Sequence, residues 1–227
     1  MDSTELEVIY EDNHLLAVVK PAGLPTMGVA AERPSLLSVA KAYVKGRYNK
    51  PGNVYLGAMS RLDCPTTGVV LLARTSKAAA RLSEQFRTRA VEKTYWALVS
   101  GRVAPAADMC QDWLAKDERH RRMHVVDPTH PGALEARLRY RTLEYLQGAS
   151  WLEISLETGR KHQIRVQMAR RGHPVVGDRK YGSRQPFPHG IALHARRLVC
   201  EHPIRHEPVE LFAPLPASWR TWGVPDA

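Results

Sequence analysis

Cysteine is scarce in this 227-residue chain: Cys64, Cys110 and Cys200 are an odd number of thiols at wide, irregular spacing. That argues against a disulfide-stapled fold, and the lack of any Cys-x-x-Cys pair removes the usual thiolate zinc site. A reduced compartment, the cytoplasm, is the expected location. No apolar run is long enough to span a bilayer. The opening, Met1-Asp2-Ser3-Thr4-Glu5-Leu6-Glu7, is acidic and carries neither the basic stretch nor the apolar stretch of a secretory leader. Internal repeats, low-complexity tracts, linkers and sustained heptads are also missing, so the expectation is one domain over residues 1–227, monomeric and with no membrane partner.

Negative charge is the other shortage. Asp and Glu number 23 against 33 Lys and Arg, leaving a formal charge of +10, which favours a polyanionic partner. Much of the excess is local. Between Arg160 and Arg184 eight Lys and Arg side chains face a single acid, Asp178. Charge runs are most often merely solvated, but here glycines and a His-Gln pair interrupt the run, as in a shaped phosphate-binding surface.

What is present is an apolar content of 44%, enough for a substantial core without staples. Val8-Ile9-Tyr10 and Leu15 to Val19 read as strands joined by the polar turn Glu11 to His14. Ser35 to Val44 reads as a short helix, Leu56 to Leu62 as a strand, and Val69 to Ala73 as a central strand. Ser76 is placed to cap a helix running toward Arg89, with Ala79, Leu82 and Phe86 on its inner stripe. Thr94 to Val99 alternates as a strand. Residues 102 to 132, with three prolines and the charged cluster Lys116 to Arg122, read as a loop-rich excursion. Leu134 to Leu146 and Trp151 to Leu156 form a hairpin about Gly148, and Ile191 to Val199 and Val209 to Phe212 are two last strands. A helix is expected from Lys161 to Arg171, with Thr158 or Gly159 near its N-cap, Gly172 at its end, and His162, Arg165 and Ala169 on one face. The class is α+β, a mixed, mainly antiparallel central sheet flanked by helices.

Two segments carry candidate chemistry. Asp63 follows an apolar strand and precedes a Pro-Thr-Thr-Gly turn, a rigid mounting for a single carboxylate. Alone it reads as a turn or capping aspartate. Arg165, in the run Thr158-Gly159-Arg160-Lys161-His162-Gln163-Ile164-Arg165, could grip that carboxylate through a bidentate contact. Its plainer reading is a salt bridge or phosphate contact, and those of His162 and Gln163 are core or capping groups. Tyr95 could stack on a base and take a proton, or be simply core.

In this order the motifs resemble those of the RluA-type pseudouridine synthases, through nearly the whole chain. Lys20-Pro21-Ala22-Gly23-Leu24 is similar to the family's first motif, and Ser60-Arg61-Leu62-Asp63 with Thr66-Thr67-Gly68 to its catalytic segment. Glu92 to Gly101 is similar to its tyrosine strand, and Thr158 to Arg165 with Gly172 to Asp178 and Tyr181-Gly182 to its arginine helix and exit. Leu193-His194-Ala195 and His202-Pro203 complete the series. Ser60 stands where a histidine is usual, Thr67 where a serine is, and Gln167 where a second histidine often follows.

The resemblance implies isomerisation of uridine to pseudouridine within a structured ribosomal or transfer RNA stem-loop, without cofactor or metal. Asp63 would be the catalytic aspartate, acting by attack on C1′ or by proton removal from C2′. Tyr95 would stack on the base and accept the C5 proton, and Arg165 would partner Asp63. Arg61, Thr66, Arg160, His162, Gln163 and Leu193 would bind substrate. The chain starts close to the first motif, so no S4-like domain is expected ahead of it. The alternative is a catalytically silent RNA-binding or RNA-remodelling protein on the same scaffold. A nucleoside or glycoside hydrolase ranks third, for want of an evident second carboxylate.

Overall fold

The computed structural model describes residues 6–28, 30 and 32–225, so most of the acidic opening lies outside the described residues. The chain divides into two compact units, residues 1–91 with 195–214 and residues 92–194 with 215–227.

In the first unit, β1 (Val8–Glu11) and β2 (Leu15–Lys20) form an antiparallel hairpin, and β2 pairs antiparallel with β4 (Thr67–Ala73). All seven residues of β4 are buried, as its unbroken apolar run requires of a central strand. The short β3 (Gly57–Ala58) pairs with the far end of β4, and β10 (Leu193–Glu201), which belongs to this unit from Ala195 onward, pairs antiparallel with β11 (Pro208–Phe212). Helix α1 (Leu36–Arg47) starts at Ser35 through a reciprocal capping box with Ser38 and runs one turn beyond Val44. Helix α2 (Ser76–Arg87) is capped by Thr75, whose hydroxyl accepts from the Ala78 N–H. Ser76 is therefore its first helical residue and not its cap. Ala78 and Leu82 are buried in the core with Leu15, Leu71 and Leu211.

The β1–β2 turn is locked by Asp12. Its Oδ1 accepts the His14 and Leu15 N–H groups at 2.7 Å each, and its Oδ2 meets Tyr10 Oη at 2.9 Å, His202 Nε2 at 2.8 Å and Arg205 Nη1 at 3.0 Å. Partial burial acts to raise this carboxyl, but the two backbone donors, His202 and Tyr10 outweigh it and hold it at about 2. A carboxyl depressed on folding stabilises above its unfolded pKa and loses that contribution as pH falls through the folded one. Between roughly pH 4 and pH 2, Asp12 should therefore give up about 2 kcal/mol. Acid denaturation of Asp12→Asn, less stable at neutral pH, should show a correspondingly shallower acid limb.

The second unit is built on antiparallel strands in the order β5-β9-β8-β6-β7: β5 (Glu92–Ser100), β6 (Ala107–Asp117), β7 (Arg122–Val126), β8 (Leu134–Leu146) and β9 (Ala149–Leu156). Helix α3 (Gln163–Arg170) packs on it, burying Ile164 and Met168 among Leu98, Leu152, Val175 and Trp219. Residues 102–132 are thus not a loop-rich excursion. Pro105, Pro128 and Pro131 flank the β6–β7 hairpin without interrupting it, so no ladder N–H is lost, and the charged cluster is its turn.

Three other boundaries differ from expectation. The strand expected over Leu56 to Leu62 lasts two residues, because Met59 and Ser60 both turn their N–H groups to Leu71 O and the chain leaves the ladder. Strand β10 begins at Leu193, since the Ala192 carbonyl and N–H are engaged by Leu98 and Val176. Helix α3 starts two residues later than the spacing implies, at Gln163. His162 is its N-cap, in the left-handed region at φ 54°, and so does not share a helical face with Arg165.

Candidate active site in two parts

Asp63 sits on a loop pinned from both sides. Leu62 exchanges two hydrogen bonds with the Thr26 hydroxyl, accepting at 2.9 Å and donating at 3.1 Å, and the Thr66 N–H closes a turn on Asp63 O at 3.0 Å. The Ser60 hydroxyl, where the resemblance would place a histidine, accepts from Leu71 N–H at 3.0 Å and fastens the loop to β4. Gly68 follows at φ +115°, where a Cβ would lie 2.3 Å from Ala195 O, so only glycine fits between β4 and β10. Asp63 itself is half-buried and Arg61 exposed. Thr66 is buried, and its hydroxyl has no hydrogen-bond partner among the described residues.

Behind this loop lies Lys20, the last residue of β2 and fully buried. Its ammonium donates to Pro21 O and Leu24 O at 2.7 Å and to Cys64 O at 3.0 Å, tying the first motif to the residue after Asp63. Burial pulls its pKa down to about 8, against the opposing pull of Cys64 and the Asp63 carboxylate. Sequence reading placed Lys20 in a motif without assigning it work. The available signal was a lysine ending the otherwise apolar strand Leu-Leu-Ala-Val-Val.

In the second unit Arg165, at 4% exposure, is held by Asp178, at 1%, in a bidentate pair with Nε–Oδ2 of 2.6 Å and Nη2–Oδ1 of 3.0 Å. Its guanidinium also lies 5.1 Å from the centre of the Tyr181 ring. Tyr181 Oη accepts the Met123 N–H at 2.9 Å and meets His162 Nδ1 at 2.8 Å. Asp178 was the other residue passed over; it is the single acid in the most basic stretch of the chain, and that isolation was the signal.

The remaining candidates separate by burial. Tyr95 is half-buried on β5, opposite Ile154 of β9. Gln163 is buried with its amide spent on local structure: Oε1 accepts from Thr158 Oγ1 at 2.8 Å and Arg160 N at 2.9 Å, and Nε2 donates to Arg137 O at 3.0 Å. Arg160 donates to Glu135 O at 2.8 Å. Leu193 is buried in the core of the second unit. Gln167, fully buried, donates to Asp112 Oδ2 at 2.7 Å, which Arg171 also reaches at 2.8 Å. Gln163 and Gln167 therefore tie α3 to the strands and the turn around it.

The family model for RNA pseudouridylate synthase matches residues 14–170, a segment that includes Asp63, Tyr95 and Arg165. The chain belongs to the RNA pseudouridylate synthase family. The synthase is 34% identical to ribosomal large subunit pseudouridine synthase D of Pseudomonas aeruginosa, over 95% of this chain and 70% of that one. It is also 34% identical to an uncharacterized RNA pseudouridine synthase of Synechocystis sp., over 94% and 67%. Among solved structures it is similar to human RNA Pseudouridylate Synthase Domain Containing 4, with a TM-score of 0.79 at 25% identity over 96% of this chain and 93% of that one. The pseudouridine synthase fold and the isomerase class implied by the motifs are both borne out. No helix among the described residues is long and apolar enough to cross a membrane.

Proposed function

We propose that this synthase isomerises a specific uridine in ribosomal or transfer RNA, with Asp63, Tyr95 and Arg165 acting on one flipped-out nucleotide. The observation that carries the reading is the family match over residues 14–170, which takes in all three residues. Ribosomal RNA is the first substrate to test, because relatives at this level of identity are named large-subunit synthases. The protein acts as a cytoplasmic monomer without metal or cofactor.

The reaction is atom-neutral. The C1′–N1 bond breaks, the uracil turns within the site, C5 bonds to C1′, and C5 gives up a proton while N1 takes one. Asp63 serves the sugar from a loop whose backbone is tied to Thr26, Lys20 and β4, which supports a carboxylate held in one place. Arg165 serves Asp63, and its bidentate bond to Asp178 fixes the plane of the guanidinium beforehand. Tyr95 stacks on the freed base and accepts the C5 proton. Flipping the nucleotide costs roughly a few kcal/mol, which basic side chains offset through phosphate contacts.

The test is pseudouridine formation by the purified chain on large-subunit ribosomal and transfer RNA transcripts, read by mass spectrometry. Tyr95→Phe keeps the ring and removes the proton acceptor. It should lower kcat by about 10²-fold or more with little change in KM; an unchanged kcat would remove Tyr95 from the chemistry.

A further inference from the structure

The turn of the β6–β7 hairpin is the most charged element that the site described above leaves unused. Lys116 is paired with Glu118 at 2.6 Å, and Arg122 faces Asp117 at 3.8 Å. Arg119 and Arg121 are exposed and have no carboxylate partner among the described residues. The turn is not a loose end. Asp117 caps it through the His120 N–H at 3.0 Å, Arg121 sits in the left-handed region at φ 49°, and Lys180 Nζ donates to Arg121 O at 2.6 Å. One residue on, Tyr181 Oη takes the Met123 N–H and contacts His162, while its ring lies beside Arg165.

Fixed contacts at Arg121 O and Met123 N–H thus join the turn that carries Arg119 and Arg121 to the 3-10 turn Arg179–Tyr181 and to the N-terminal end of α3, where Lys161 is also exposed. A row of cations is mounted on the same framework that holds Arg165. Holding unpaired cations together costs repulsion unless a polyanion neutralises them.

We propose that the Asp117–Arg122 turn, with Lys161, Arg179 and Lys180, is a docking surface for the RNA sugar-phosphate backbone flanking the reacting uridine. Resting on the function proposed above, it assigns that function a binding element. Arg119 and Arg121 act on capture of the RNA, through Coulomb attraction and counterion release, and not on the chemical step.

The experiment uses the full chain and two paired variants, Arg119→Ala/Arg121→Asn and, on the helices of the first unit, Lys41→Ala/Lys77→Ala; asparagine keeps the left-handed position tolerable. Affinity for an RNA hairpin of roughly one helical turn is followed by fluorescence anisotropy from low salt to roughly 0.2 M. The turn variant should bind at least about tenfold more weakly and lower the salt-dependence slope by roughly 1–2, with Arg119→Ala alone giving about half that change. The lysine pair should alter both far less. On the RNA isomerised by the wild type, the turn variant should raise KM and leave kcat unchanged. Equal losses in the two paired variants, or a fall in kcat without a rise in KM, would overturn the proposal. Failure of the wild type to make pseudouridine on any RNA would instead overturn the function on which it rests.

Discussion

Asp63→Asn is expected to abolish pseudouridine formation, by at least roughly 10³-fold, while leaving RNA affinity within about twofold of wild type. Asparagine keeps the size and most hydrogen-bonding geometry of aspartate, so the Leu62–Thr26 and Lys20–Cys64 ties should survive. It cannot act as nucleophile or base. Lys20 would then lie near a neutral amide, and the opposing pull of the carboxylate on its depressed pKa would be lost. Because the backbone ties of the loop are kept, thermal unfolding should change little at neutral pH, which separates a catalytic loss from a folding loss. Activity within tenfold of wild type would remove Asp63 from the reaction.

The second large effect concerns the buried pair. Asp178→Ala leaves the Arg165 guanidinium at 4% exposure without its bidentate partner, a loss of about 3–5 kcal/mol. For a chain of this length that corresponds to a fall of about 10 °C in Tm. Arg165→Met alone strands Asp178 in turn, at 1% exposure. The informative variant is Arg165→Met/Asp178→Leu, which replaces the pair by apolar groups of similar volume. Its stability should return to within about 1–2 kcal/mol of wild type, because the desolvation cost of both charges disappears with them. Activity should stay absent. Recovery of activity along with stability would reduce Arg165 to a structural ion pair.

Most of the fold was legible because the decisive segments obey one period each. Leu15 to Val19 and Val69 to Ala73 are continuous apolar runs and became buried neighbours, paired from Leu15 with Ala73 to Lys20 with Gly68. The β6–β7 hairpin was not legible. Its burial does not alternate, its turn is dominated by charge, and the prolines that argued for a loop stand outside it. Local propensity also misplaced the start of α3. The spacing of Thr158 and Gly159 pointed to a cap there, but Gln163 satisfies that stretch with its own side chain, and the left-handed His162 resets the chain one residue before the helix.

The candidate site was legible as motifs and not as partnerships. Asp63, Tyr95 and Arg165 could each be named from sequence, whereas Arg165's grip on Asp178 spans thirteen positions and depends on the turn Val175–Asp178 folding back over α3. Nor could spacing reveal that a buried lysine in the first motif serves the carbonyl next to Asp63. Such contacts follow from how the strands bring distant residues together, which a linear pattern does not encode.

The most direct measurement is a single-nucleotide map of pseudouridine in total RNA from cells lacking this gene, complemented with wild type or with Asp63→Asn. One or a few positions should lose pseudouridine, regain it with wild type, and remain unmodified with the asparagine variant. Restoration by Asp63→Asn, or a map unchanged by loss of the gene, would contradict the assignment of an Asp63-dependent RNA isomerase.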